Sequence, residues 1–203
     1  MKKVLFICSH LFSGSSVLYD QLNLHTRIQG FKNNNFNRYE VVQNIFSLTT
    51  QNHKLDSKAA IFMDELLLNH QFTCSTLYDY CKFIYVIRNP VQTINLIIGK
   101  NKIKSEYAIR YYNFRMRRIC EMAKTTKGAV LLTFDDLLLG KGLDVIEDYL
   151  KIPTKITFNP LLLNDLQKGS TVDLLEPSLR LEVEDRFERY LYFLKNQDLR
   201  LPQ

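Results

Sequence analysis

"FICSHLFSGSSVLYDQL", residues 6–22, decides the reading of the fold: an apolar run enters a turn of small residues and leaves it in a helical pattern. In that turn Ser13, Gly14, Ser15 and Ser16 let backbone N–H groups approach an anion, add hydroxyl donors, and stand at the positive end of the helix that follows. It is not a Walker A loop, because the second glycine and its Lys-Ser/Thr pair are missing. The same residues also fit an ordinary strand-to-helix turn with a serine cap. Phe12 stands where a phosphate loop usually carries a cation.

Outward from this stretch, short apolar runs rich in Val, Ile and Phe recur at 2–8, 59–63, 82–87 and 129–134, which reads as strands covered on both faces. Between and after them, helical patterns run over 15–25, 66–80, 91–99, 105–124, 141–150 and 177–195. Strands alternating with helices predict an α/β fold, a parallel sheet flanked by helices. With 203 residues, 46% of them hydrophobic, the chain can bury one substantial core, so residues 1–203 are expected to form a single domain. The polar segments 30–39 and 162–178 read as surface loops.

Lys+Arg 27 against Asp+Glu 21 gives a net charge of +6, which favours an anionic partner. Cys8, Cys74, Cys81 and Cys120 form no CxxC pair and no metal-ligand spacing with histidine, so no metal is expected. The first apolar run is too short for a signal peptide or a membrane span, and the expectation is a reduced, cytoplasmic protein without a transmembrane segment.

In an open parallel sheet the ligand crevice lies beyond the C-terminal strand ends. The 82–87 run is followed by "RNPVQTINLI", where Asn89 can cap the next helix, Pro90 fits its first turn, and Arg88 stands at the strand end facing the same crevice as the SGSS turn. The alternative for Arg88 is a surface salt bridge.

These residues resemble the P-loop sulfotransferase family, which moves a sulfuryl group from 3′-phosphoadenosine 5′-phosphosulfate (PAPS) to an acceptor hydroxyl or amine. "LFSGSSVL" is similar to the family's 5′-phosphosulfate loop, "FIYVIRNPVQTINLI" to its 3′-phosphate segment, "AVLLTFDDLLLGKGLDVIEDYLKIP" to its later strand, acidic pair and helix, and "QKGS" at 167–170 to the late loop that closes over the nucleotide. The resemblance implies a P-loop-type sheet and PAPS as cofactor. It places Ser13, Gly14, Ser15 and Ser16 around the 5′-phosphosulfate, and Arg88, Lys168 and Gly169 on the 3′-phosphate. Asp135 and Asp136 read as structural, a helix cap beyond the fourth strand. Three positions depart from the family pattern: Phe12 replaces a basic residue, Glu65 replaces a lysine, and Leu96 replaces a serine, with the adjacent Asn95 as a substitute donor after a small register change.

The resemblance puts the catalytic base after the second apolar run, in "IFMDELLLNHQF", with Asp64 at the carboxylate position and His70 as the later alternative. Asp64 and Glu65 also fit the role of caps for a following helix. Glu40, His53 and His70 are weaker candidates than Asp64, and His10, near the first loop, reads as a structural histidine. The stretch 100–118 carries Lys100, Lys102, Lys104, Arg110, Arg115, Arg117 and Arg118 with interleaved tyrosines. It reads as an amphipathic helix with a solvated basic face, its core side formed by Ile109, Tyr112, Met116 and Ile119, and that face could attract an anionic or carbohydrate acceptor. The rival functions are a non-catalytic PAPS- or nucleotide-binding relative, a nucleotide kinase-like phosphotransferase, disfavoured by the missing Walker lysine and the absence of a clear Mg²⁺-binding carboxylate motif, and a nucleic-acid-binding module built on 100–118, which is also disfavoured.

Overall fold

The computed structural model describes residues 3–30, 61–66, 81–152, 155–168 and 173–202. Its centre is a six-stranded, wholly parallel sheet of β1 (Lys3–Ser9), β2 (Ile28–Gly30), β3 (Ile61–Leu66), β4 (Cys81–Ile87), β5 (Ala129–Thr133) and β6 (Leu199–Arg200), in the order β2-β3-β1-β4-β5-β6. The helices are α1 (Ser15–Asn23), α2 (Pro90–Asn101), α3 (Ser105–Ala123), α4 (Phe134–Leu138), α5 (Leu143–Leu150), α6 (Asn164–Lys168) and α7 (Pro177–Lys195), with a 3-10 turn at Pro160–Leu163 before α6.

Strand side chains alternate faces, so one strand feeds two cores. Val4, Phe6 and Cys8 of β1 join Phe83, Tyr85 and Ile87 of β4 against α2, α3 and α7, through Ile94, Tyr112, Met116 and Phe187. Leu5 and Ile7 join Ile84 and Val86 on the other face, against Leu18 and Leu22 of α1, Leu137 of α4 and Ile146 of α5. This two-sided burial explains why the strands read as continuous apolar runs rather than as alternating ones.

The parallel α/β expectation holds, and so do the four strands and the helix at 177–195. Several local expectations are corrected. The 59–63 strand extends to Leu66, so Asp64 and Glu65 lie inside β3, paired in register with Phe6 and Ile7 of β1, and do not cap a helix starting at 66. The sheet ladder overrides the local acidic signal there. The remainder of that helix, 67–80, lies outside the described residues. The 162–178 stretch is not a plain loop: α6 and the start of α7 fall within it, and Leu163 is fully buried against Gly14 and its surroundings. Two short edge strands, β2 and β6, carry too few residues to show a pattern in the sequence.

Candidate functional site

β1 and β4 are neighbours, with Ser9 opposite Val86, and the chain leaves them toward opposite edges of the sheet. Their C-terminal ends therefore form the switch point at which open parallel sheets bind ligands. Residues 10–14 follow β1 there, and Arg88 follows β4.

The turn after β1 is built around Gly14, the N-cap of α1, at φ +89. A Cβ there would sit 3.1 Å from Phe134, 3.2 Å from Leu163 and 3.3 Å from Leu137, so both backbone conformation and space require glycine. Gly14 as N-cap offers no side chain, but the serine-cap reading survives in part: Ser13 Oγ accepts from Ser15 N–H, the first of α1, at 3.4 Å, and the serine hydroxyls also bond to one another. Ser9 Oγ donates to Ser15 Oγ at 2.7 Å and Ser13 Oγ donates to it at 3.1 Å. Ser13 and Ser15 are buried, whereas Ser16 is exposed. The first-turn N–H groups of α1, residues 15–17, point out of its N-terminal end by helix geometry, which is the arrangement that receives an anion.

Phe12 has φ 60, a left-handed conformation uncommon for a bulky residue. Its carbonyl accepts from Arg88 Nη1 at 3.1 Å, its ring packs against the α2/α3 core, and Lys100 Nζ lies 5.7 Å from the ring centroid.

Arg88 is 1% exposed, which overturns the surface salt-bridge alternative. Its Nε donates to Gln92 Oε1 at 3.1 Å, its Nη2 to the Leu166 carbonyl at 3.2 Å, and its guanidinium lies 3.8 Å over the Phe134 ring. Burial lowers its pKa to about 10 against the opposing field of Asp135, so it keeps its charge at neutral pH. The bond to Leu166 also brings the backbone of Lys168, two residues on, to this end of the sheet. Gly169 and His70 lie outside the described residues. Asp64 sits in β3, on the other side of β1 from Arg88.

Three other expectations resolve plainly. Asn89 caps α2, its Oδ1 accepting from Val91 and Gln92 N–H, with Pro90 in the first turn. Thr133 and Asp136 form a capping box on α4, as the structural reading of the acidic pair requires. Asn95 is not a donor toward the loop: its Oδ1 accepts from Leu174 N–H at 3.0 Å, and Leu96 is buried in the core.

The sequence reading missed the scaffold beneath the turn. His10 is fully buried; its Nε2 accepts the Arg88 N–H at 3.0 Å, which places the ring proton on Nδ1, 3.0 Å from the Leu11 carbonyl. Burial, with Arg115 and Arg88 nearby, lowers its pKa to about 4, so the ring is neutral at pH 7. Tyr112 Oη donates to the Arg88 carbonyl at 2.7 Å and Tyr111 Oη accepts from Leu11 N–H at 3.0 Å. Arg115, assigned to a solvated face, is instead 3% exposed, and its Nε and Nη2 both donate to the Ser9 carbonyl, at 3.0 and 2.6 Å. The signal was present in the spacing: positions 108, 112, 115, 116 and 119 share one side of a helix, and an arginine on that side must find a buried acceptor.

No protein-family model and no curated protein sequence matches the chain. Among solved structures, its fold is similar to that of a sulfotransferase from Alicyclobacillus acidocaldarius, at 15% identity over 96% of this chain and 95% of that one, with a TM-score of 0.59. A sulfotransferase domain from the Synechococcus PCC 7002 olefin synthase matches at 13% identity over 93% of this chain and 96% of that one, TM-score 0.55. A mouse sulfotransferase complexed with PAP matches at 13% identity over 87% of this chain and 68% of that one, TM-score 0.53. This chain has the P-loop-type α/β fold of the sulfotransferases.

Proposed function

We propose that the protein is a sulfotransferase that uses PAPS as donor and a hydroxyl or amine as acceptor. The observation that carries this reading is the convergence of the Gly14 turn and Arg88 on adjacent strand ends, joined through the Phe12 carbonyl and His10. The residues present fit the donor. Gly14 leaves no room for a side chain where the loop closes on α4, and Arg88 is a preorganised cation bonded to the carbonyl of Phe12, two residues before the N-cap of an anion-receiving helix terminus. A mouse structure of the same fold was crystallised with PAP, which supports the assignment of nucleotide class.

PAPS supplies an activated sulfuryl group. The chain's own part is to hold it and to move a proton. Ser13, Gly14, Ser15 and Ser16 with the first turn of α1 hold the 5′ end, while Arg88, Lys168 and Gly169 hold the 3′-phosphate. Asp64, with His70 as the alternative, takes the acceptor proton as its oxygen or nitrogen attacks sulfur. No metal takes part in this scheme.

The acceptor is proposed to be anionic, a carbohydrate bearing acidic groups being the simplest class. On α7 the arginines are matched by acids one turn away, as in Arg180–Glu184 and Arg189–Asp185. Lys102, Lys104, Arg110 and Arg117 have no carboxylate partner among the described residues, and the exposed Tyr107 and Phe114 lie between them. One observation favours a second reading, a nucleotide binder without transfer activity: Phe12 gives the loop no cation for the leaving oxygen. Incubation with sulfur-labelled PAPS and a panel of neutral and acidic oligosaccharides tests the proposal. Label transfer, with release of adenosine 3′,5′-bisphosphate, is expected; tight nucleotide binding with no transfer and no PAPS hydrolysis would select the second reading.

A further inference from the structure

We propose that His10 is a positioning residue that makes the phosphate loop and Arg88 one mechanical unit, so that an anion seated in the loop tightens the hold on Arg88. The inference rests on the nucleotide reading above for its biological use, but its geometry stands apart from it. His10 is the first residue after β1, and Arg88 the first after β4. No backbone ladder joins them, because the β1/β4 register ends at Ser9 and Val86. The imidazole replaces that missing ladder. It accepts the Arg88 N–H at Nε2 and reaches the Leu11 carbonyl from Nδ1, both at 3.0 Å. Arg88 closes the ring from the other side, with its Nη1 on the Phe12 carbonyl.

The ring is locked by what surrounds it. Tyr112 stands edge-on to it, at 4.9 Å between centroids, while its own hydroxyl holds the Arg88 carbonyl. Both backbone groups of Arg88 are therefore bound by side chains, the N–H by His10 and the C=O by Tyr112. Arg115 on the Ser9 carbonyl and Tyr111 on the Leu11 N–H fix the other half of the turn from α3. A neutral, Nδ1-protonated histidine is the one side chain at this place that offers a donor and an acceptor on opposite edges of a rigid ring. A glutamine offers both functions on a flexible stem, and a phenylalanine offers neither.

Inorganic pyrophosphate, a probe of the loop, tests the coupling without any nucleotide. In the wild type, saturating pyrophosphate is expected to slow amide hydrogen exchange of Arg88 at least about fivefold, along with the first turn of α1. In His10→Phe the α1 amides are expected to be protected as before while the Arg88 amide no longer responds, and His10→Gln is expected to restore part of the response. A parallel binding series with adenosine 3′,5′-bisphosphate and AMP is expected to show that His10→Phe reduces the wild-type preference for the bisphosphate at least about tenfold. A merely structural role would weaken both nucleotides alike and lower the melting temperature without changing their ratio. Equal transmission to Arg88 in wild type and His10→Phe would overturn the proposal, as would no response in the wild type when α1 is protected. If pyrophosphate couples as described but bisphosphate and AMP bind equally to the wild type, the nucleotide reading fails and the coupling stands.

Discussion

Arg88→Ala removes a guanidinium that donates to Gln92, to the Phe12 carbonyl and to the Leu166 carbonyl at 3.1, 3.1 and 3.2 Å, and that stacks 3.8 Å over Phe134. A hydrogen bond from a charged group contributes about 1.5–3 kcal/mol, and members of one network do not add. Water entering the space resolvates the two carbonyls in part. The expected loss of folding stability is therefore about 3–5 kcal/mol, large for a polar residue, because this one is buried and ties three segments. If the 3′-phosphate also pairs with Arg88, a second loss of about 2–4 kcal/mol appears in the affinity for adenosine 3′,5′-bisphosphate and much less of it in that for ADP. Urea unfolding of wild type and variant, each alone and with either nucleotide, separates the two effects. A ligand-free loss below about 1 kcal/mol would refute the claim that Arg88 ties the loop to α6. Equal losses for the two nucleotides would refute its assignment to the 3′-phosphate.

Phe12→Lys is expected to raise sulfuryl transfer or PAPS hydrolysis with little change in nucleotide affinity; a large stability loss with neither gain would show that the ring's packing is its whole role. Asp64→Asn is expected to lower turnover at least about 10²-fold while preserving nucleotide binding, and His70→Gln to do much less; the reverse order would move the base to His70. His10 makes acid destabilise the fold. Its folded pKa of about 4 lies below the ordinary 6.5, so the unfolded chain takes up the proton first, and stability present above pH 6.5 falls by about 3 kcal/mol as pH drops to 4. Arg115 and Arg88 act in the same direction as burial, and the bond to Leu11 opposes them. Urea midpoints of wild type and His10→Gln across that window check this, and an unchanged slope in His10→Gln would assign it to other groups.

The parts of the fold written in local chemistry were legible in the sequence. β1, β4 and β5 show as near-continuous apolar runs because both faces of the sheet are covered, and Asn89-Pro90 announces α2 by capping chemistry that needs no tertiary help. Gly14 and Arg88 were legible for the same reason, as a turn that only glycine fits and a cation at a strand end. The boundary at Asp64 was not, since acidic residues near a strand end mimic a helix start, whereas pairing with β1 carries the strand three residues further. The supporting shell was hidden for a different reason. His10, Tyr111, Tyr112 and Arg115 act on backbone atoms up to 106 positions away in the chain, and no local pattern encodes such a partner. For Arg115 the helix face was readable from its neighbours Tyr112, Met116 and Ile119, but the buried carbonyl of Ser9 that it meets was not.

The most direct test of the central claim is thermal unfolding with adenosine 3′,5′-bisphosphate compared with ADP and ATP at equal concentrations. At 100 times its dissociation constant a ligand specific for the folded state stabilises it by about 2.7 kcal/mol, which for a chain of this length raises Tm by about 5–10 °C. The account predicts such a rise for the 3′-phosphorylated nucleotide and a clearly smaller one for ADP and ATP. Equal shifts for all three, or a larger one with ATP, would contradict it.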